Sequence, residues 1–341
     1  MKPQDKKTES PFIAAGIASR ALWIDSPGRC RILEQPLPAG DPGELLIRAL
    51  YSGISRGTEA LVFSGRVPES QHQVMRAPFQ QGRFDFPVKY GYASVGRVEQ
   101  GPPDRLGQTV FCLHPHQDVY RVPADQALAL PADVPPRRAV LAANMETAVN
   151  ALWDASPGIG DRISVIGAGV VGTLCACLAA SIAGSRVTLI DNNPERTALA
   201  THFGLAFAAP EDAPGDQDLV LHASGDPAGL QRALELAGFE ARIIELSWYG
   251  EQSVGLPLGQ HFHAGRLTLR SSQVGHLPPR RQARWNHRRR MCLALALLAD
   301  PRFDALISGE TAFDALPRSY ARILDPDHGE LCHRVVYPAV A

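Results

Sequence analysis

No run of apolar residues in the chain approaches the roughly 18 that a membrane-spanning helix needs, so no membrane association of that kind is expected. Charge of either sign is not in excess: 34 Lys and Arg face 35 Asp and Glu, a formal net charge of −1. That balance removes the global electrostatic case for nucleic acid or an anionic membrane as partner. The six cysteines (Cys30, Cys112, Cys175, Cys177, Cys292, Cys332) include no C-x-x-C pair, a pattern that fits free thiols in a reducing cytoplasm better than a disulfide framework. Internal repeats and low-complexity segments are absent. Residues 1–16 are polar, then weakly apolar, and lack the apolar core of a signal peptide; a disordered tail is expected there.

What the chain does have is length for two domains, at 341 residues, and a nucleotide-binding signature between Ile163 and Asp191. A buried strand, Ile163 to Ile166, is expected to break into Gly167-x-Gly169-x-x-Gly172. Gly167 allows the tight turn, Gly169 lets a pyrophosphate approach the main chain, and Gly172 lets the next helix pack close to the strand. The unpaired N–H groups opening that helix, at Val170 and Val171, then face the phosphates. The following strand ends at Asp191, with Asn192 beyond it. A carboxylate there accepts hydrogen bonds from both hydroxyls of an adenosine ribose and repels a 2′-phosphate, so NAD is expected over NADP. Arg196 keeps NADP open, and a purely structural glycine turn is the alternative to a dinucleotide site.

Around this unit the text changes character. From Ser19 to about Leu50, and again over Phe86–Val98 and Gln108–Val122, short alternating runs separated by Pro and Gly predict an antiparallel β-rich domain. A helix is expected over Ala139–Trp153. Beyond Asp191, strands at Asp218–Gly225, Ala241–Ser247 and Leu267–Ser272 alternate with a helix at Pro227–Ala237. That alternation predicts an α/β class, doubly wound parallel sheet with right-handed crossovers. A helix from about Arg281 to Leu298 and a β-α-β tail from Leu306 to Pro338 complete the chain, the tail returning to the first domain.

In this order the chain resembles the medium-chain dehydrogenase/reductase superfamily, the zinc alcohol dehydrogenase and quinone reductase fold. The resemblance runs from about Ala21 to Tyr337. It is carried by Ser52-Gly-Ile-Ser55, the strand around Gly91, Pro131 to Val134, Thr147 to Leu152, Gly167 to Gly172 and Ala223 to Leu230. It implies a GroES-like β-rich catalytic domain (17–152 and 296–341) against a Rossmann domain (153–295), with nicotinamide in the cleft and hydride transfer to or from a small-molecule substrate. It further implies that Thr147 and Ser224 border the cofactor and that the chain forms a homo-oligomer, a dimer. Arg56 matches a position that in some relatives reaches the cofactor phosphates; a structural ion pair is its alternative.

The departures from that family are informative. Zinc-dependent members carry a Cys after the Gly-Ile of the first loop, a His-Glu pair after the strand Gly, and a Cys or acid before the Rossmann unit. Ser55, Tyr92-Ala93 and Ala143 stand there instead, and the four-cysteine lobe of a structural zinc is missing between Gln100 and Gln117. Hydroxyl, phenol and methyl do not make a zinc site, so no zinc is expected. A carbonyl or alcohol oxygen must then be polarised by hydrogen-bond donors. Tyr92 is the first candidate donor and proton relay, with pocket wall as the bland reading. Ser55 and Thr58 are candidate helpers. Glu59 and Glu146 are candidate bases, with helix capping the alternative for Glu59 and pairing with Arg56 the alternative for Glu146.

Other features stay open. His114-Pro-His116 reads as a turn with exposed histidines, as a substrate contact or, least, as a metal pair. Cys175 and Cys177 read as core packing. The basic run Arg280–Arg290 reads as a solvated helix face with Trp285 docked inward, and Arg270 to Gln273 end a strand where ligands gather. The insertion Ser64–Phe86 is a candidate lid. Three functions compete: a zinc-independent alcohol/carbonyl oxidoreductase, an enoyl or quinone reductase acting on an activated C=C, and a nucleotide-binding protein without chemistry.

Overall fold

A computed structural model describes residues 17–338; the expected disordered tail at 1–16 lies outside them. The glycine-turn strand Arg162–Ile166 is wholly buried from Ile163 onward, as a strand covered on both faces must be. It lies inside an all-parallel, six-stranded sheet. Across that sheet the order is Ala206–Ala208, Arg186–Ile190, Arg162–Ile166, Gln217–His222, Ala237–Glu245 and Thr268–Ser271. Numbered along the chain the order is 3-2-1-4-5-6, which places a switch point, and hence a crevice, between Arg162–Ile166 and Gln217–His222. Ala206–Ala208 was not expected from the sequence. Three residues at a sheet edge are too few to show a period.

The β-rich part is built on the eleven-residue strand Glu44–Ile54. It pairs antiparallel with Ser94–Gln100, with Val119–Pro123 and with the last strand, Cys332–Val336. Ile307–Ala312 runs parallel to Cys332–Val336 through the helix Leu316–Leu324, so the tail closes the first sheet. A second, four-stranded ribbon joins Arg29–Pro36, Ala18–Ser26, Val88–Lys89 and Gln81–Gly82.

Between the two parts runs the helix Ala142–Ala155, preceded by a separate turn, Pro136–Ala139. Twelve of its fourteen residues are buried, because it packs against both Val170–Ala180 and His287–Leu297. A helix enclosed on all sides cannot leave its polar residues unpaired. Glu146 accordingly meets Arg290 at 3.1 Å, and Arg290 also donates to Asn150 Oδ1 at 2.5 Å and to the Val274 carbonyl at 2.5 Å. Glu146 therefore does not pair with Arg56. Burial pushes its carboxyl up from the usual range while Arg290 pulls it down.

The basic run differs from expectation for the same reason. Arg290 is 1% exposed, and the single helix expected over Arg281–Leu298 is two, Pro279–Gln282 and His287–Leu297. Asn286 caps the second by accepting from Arg289 N at 2.8 Å. Trp285 docks inward, 4.8 Å from Trp153 between ring centres. Truncating one partner of a buried ion pair strands the other, at a cost of about 3–5 kcal/mol. Glu146→Ala is expected to lose stability on that scale in urea unfolding and Glu146→Gln distinctly less; equal stability of all three proteins would contradict the pairing.

Candidate active site and cofactor cleft

The glycine turn has the geometry its spacing implies. Gly167 has φ +102°, and a Cβ on it would lie 2.7 Å from Ser224 N; a Cβ on Gly172 would lie 1.9 Å from the Gly167 carbonyl oxygen. A Cβ on Gly169 would meet nothing within 4 Å, so the approach to the main chain is open there. The helix Val170–Ala180 starts there without a side-chain cap, its first residues Val170 and Val171 half-buried. Asp191 follows the strand Arg186–Ile190 and accepts from Ala168 N at 2.7 Å and Asn193 N at 2.8 Å, which ties the ribose-end acid to the turn itself. Asn192 beside it is exposed.

Arg56 supplies the electrostatic counterpart. Its Nη1 is buried and has no hydrogen-bond partner among the described residues. Burial, and then the charge of nearby Arg196, hold its guanidinium below its usual pKa, with Glu330 and Asp191 opposing. Arg196 itself donates to the Gly329 carbonyl at 2.6 Å. A half-buried guanidinium with a buried, unused N–H, within electrostatic reach of Asp191, fits the phosphates of a dinucleotide.

Ser224 is exposed just past the strand Gln217–His222, with its Oγ 2.6 Å from His222 Nε2; His222 Nδ1 in turn lies 2.7 Å from Glu245 Oε2. The sequence reading missed His222 and Glu245. The available signal was a histidine closing an otherwise apolar strand. Thr147 is half-buried, and its hydroxyl donates to the Ala143 carbonyl one turn back at 3.0 Å.

The catalytic candidates gather where Glu44–Ile54 turns into the helix Arg56–Phe63. Tyr92 packs against two of the three hydrophobic clusters found among the described residues. Burial, then the negative charge of Glu59, push its phenol up to about 12, and the neighbouring Ser55 and Thr58 hydroxyls pull the other way. Ser55 Oγ also accepts from Asn144 Nδ2 at 3.3 Å. Tyr92 is thus a protonated donor throughout the neutral range.

Glu59 sits one layer deeper, wholly buried. Its Oε1 accepts from Ser55 N at 2.7 Å, capping the helix, and its Oε2 accepts from Tyr320 OH at 2.6 Å and meets His116 Nε2 at 3.0 Å. With three donors on it, Glu59 ties the loop at Ser55 to His116 and to the tail helix. His116 Nδ1 lies 2.7 Å from Ser52 Oγ, which lies 3.0 Å from Tyr337 OH. His116 Nε2–H donates to Glu59 Oε2, and its Nδ1 shares a hydrogen bond with Ser52 Oγ.

Neither histidine of the pair is an exposed turn residue. His114 is stacked on Tyr120, 3.7 Å between ring centres, and burial, with Lys89's charge a lesser cause, drives its pKa well below the usual value. His116 is 0% exposed, and a Cβ on Gly91 would meet its ring at 2.9 Å, which is why the residue before Tyr92 must be glycine. Farther out, Arg270 and Ser272 are engaged by Asp154 at 2.7 and 2.8 Å, while Gln273 Nε2 lies 3.9 Å from Met75 Sδ in the insertion. Cys175 is core, and Cys177 packs beside it.

Known proteins are similar to this chain in sequence and in fold. An uncharacterized zinc-type alcohol dehydrogenase-like protein of Haemophilus influenzae is 25% identical over 266 residues, 67% of this chain and 76% of its own length. The 2-desacetyl-2-hydroxyethyl bacteriochlorophyllide A dehydrogenase of Rhodobacter capsulatus is 28% identical over 227 residues, 61% of this chain and 67% of its own. A short chain alcohol dehydrogenase from Escherichia coli CFT073, solved with cofactor NADH, superposes with a TM-score of 0.74 at 18% identity, over 94% of this chain and 100% of that one. The chain therefore has the fold of these alcohol dehydrogenases, that of the medium-chain dehydrogenase/reductase superfamily. No protein-family model matches it.

Against that superfamily's zinc positions, Ser55, Tyr92 and Ala143 offer a hydroxyl, a phenol and a methyl. Among the described residues no three His, Cys, Asp or Glu side chains come together as a metal cluster. These residues do not fit a zinc ion. The cofactor cleft generates a sharper expectation. Arg56→Met is expected to leave the melting temperature unchanged or raised, since it removes a dry, unpaired guanidinium. It should also weaken NADH binding by roughly 10–100-fold, the worth of one charged hydrogen bond. Titration calorimetry with wild-type affinity retained would rule out the phosphate contact.

Proposed function

We propose that the protein is a zinc-independent, NAD(P)-dependent oxidoreductase that interconverts an alcohol and a carbonyl on a small-molecule substrate. NAD is the preferred cofactor on this reading, because a 2′-phosphate would meet the carboxylate of Asp191. The proposed division of labour follows the chain: 17–152 with 296–341 carries the chemistry, and 153–295 carries the cofactor. Gly167, Gly169, Val170, Val171, Gly172, Asp191, Asn192, Arg56, Thr147 and Ser224 would hold it. Bound nicotinamide supplies the hydride acceptor or donor.

The observation that carries the reading is the protonated phenol of Tyr92, standing where zinc-dependent relatives carry a ligand histidine and flanked by the Ser55 and Thr58 hydroxyls. A neutral donor in a dry site can give its proton to a carbonyl oxygen as negative charge develops there. Ser55 and Thr58 then donate to the phenolate left behind. Glu59, held by Ser55 N, Tyr320 and His116, keeps that loop in register and acts as a positioning residue. Relatives named as dehydrogenases support the alcohol/carbonyl pair over a C=C bond. A dimer is part of the same proposal.

Tyr92→Phe should leave NADH affinity unchanged and lower turnover by roughly 10²–10⁴-fold, the usual worth of a positioned acid. Reduced-nicotinamide absorbance followed with panels of ketones, alcohols and enones measures this. Turnover of enones alone would shift the reading to C=C reduction, and cofactor binding with no turnover on any panel would leave a binding protein. Stoichiometric zinc in elemental analysis of the purified protein would overturn the metal-free mechanism.

A further inference from the structure

Outside the cleft, the four-stranded ribbon hides a lysine that the proposed chemistry does not use. Lys89 lies in the two-residue strand Val88–Lys89, clamped between Ala18–Ser26 and Gln81–Gly82, and is 3% exposed. Its Nζ donates to Gln117 Oε1 at 2.6 Å. Both N–H donors of Gln117 are used, its Nε2 donating to Ser19 Oγ at 2.8 Å and to the Val119 carbonyl at 3.0 Å, which holds its Oε1 towards Lys89. Ser19 Oγ in turn gives its proton to the Val119 carbonyl at 2.5 Å. An ammonium has three donors, and among the described residues only one is taken.

Among the described residues no carboxylate compensates the charge. Asp118, next to Gln117, is held by Arg20 Nε at 3.0 Å and by Arg20 N at 2.8 Å. His114, the other titratable group that feels Lys89, is kept neutral by its own burial. Desolvation alone accordingly pulls the Lys89 amine down to about 8. A buried cation is stable only with an anion or a full set of acceptors, and the ribbon provides neither.

What it does provide is space. Lys89, Gln117, Ser19, Gln35 and Gln81 line a cavity of about 190 Å³, together with the apolar surfaces of Ala21, Leu33, Leu37, Pro36 and Pro38. That volume is far above the roughly 10–15 Å³ that admits one water. It is below the roughly 300 Å³ at which drug-sized pockets begin, so the occupant is fragment-sized. Gln35 and Gln81 are exposed and mark the mouth, while Lys89, Ser19 and Gln117 form the buried polar end.

We propose that this cavity is a binding site for a small aliphatic carboxylate, whose carboxylate is taken by the free N–H groups of Lys89 and whose carbon end lies against Ala21, Leu33 and Leu37. An acid with a short chain matches a pocket that is cationic at one end and apolar along its wall; a fully hydrated inorganic anion matches only the first. None of its lining residues belongs to the proposed cofactor or catalytic set, so the proposal stands whether or not the oxidoreductase reading does.

The test is calorimetric titration of the full-length protein with sodium butyrate, with sodium chloride and inorganic phosphate at matched ionic strength as controls. Saturable binding of butyrate is expected. A carboxylate that stabilises the ammonium raises the pKa of Lys89. With that amine at about 8 in the free protein, binding at pH 8 should take up about half a proton, read from buffers of different ionisation enthalpy, and almost none at pH 6.5. Lys89→Met should lower butyrate affinity at least tenfold while melting no lower than wild type. Should that variant fail to fold, Leu33→Trp fills the cavity with Lys89 kept and should abolish binding. The proposal is overturned by no saturable butyrate binding, by phosphate or chloride binding as well as butyrate, by undiminished binding to either variant, or by absent proton uptake at pH 8.

Discussion

One carboxylate holds the β-rich half of this molecule together. Glu59 lies with no exposed surface at the junction of three segments far apart in sequence: the loop at Ser55, the strand-ending loop at His116 and the tail helix at Tyr320. Each gives it one hydrogen bond. A buried anion with fewer donors would be driven to take up a proton or to drag the loop towards water. The tail must therefore return to the first sheet, and the pairing of Cys332–Val336 with Glu44–Ile54 does the same at the level of the backbone. Ser52, at the end of that strand, extends the network through His116 to Tyr337, so the loop that presents Ser55 and Thr58 is fixed from beneath.

The half built on the parallel sheet was the more legible in sequence, because its constraints are local. Gly172 is demanded by the Gly167 carbonyl five residues before it, Gly167 by its own positive φ, and Asp191 by its place at the next strand's end. The alternation of strands and helices carried the fold class for the same reason. What escaped the reading depends on partners distant in the chain. Arg290 reads as one more arginine in a basic run until Glu146 and Asn150 surround it. His116 reads as half of an exposed pair until Ser52 and Glu59 take its two nitrogens. His222 and Glu245 meet only because adjacent parallel strands bring them level. Polar side chains carry no periodic signal, so their burial becomes visible only with the tertiary fold.

The zinc positions bring the two halves to one question: what stabilises charge where relatives use a metal. A divalent ion acts in either direction of the reaction, polarising a carbonyl or lowering the pKa of an alcohol. Hydrogen-bond donors do the first readily and the second poorly. The residues around Tyr92 are of the donor kind: Ser55 and Thr58 bring hydroxyls, while the buried negative charge of Glu59 behind them raises the phenol's pKa. An anion behind the site makes the loss of a proton from Tyr92 harder, so the arrangement holds the neutral acid and disfavours its conjugate base.

That asymmetry sets the direction in which the proposed site works best. For carbonyl reduction Tyr92 must begin protonated, and with its phenol near 12 it does so across the whole physiological range. For alcohol oxidation it must begin as the phenolate, which is scarce at neutral pH and grows tenfold with each unit of pH below 12. On the proposed mechanism the reductive rate is thus insensitive to pH through neutrality, and the oxidative rate climbs steeply on the alkaline side. Zinc-bound water or alcohol, by contrast, titrates near neutrality and flattens that climb. The slope of the oxidative profile is therefore a property of the phenol and its buried neighbour Glu59, and it separates a protein-proton mechanism from a metal one without reference to which substrate is turned over.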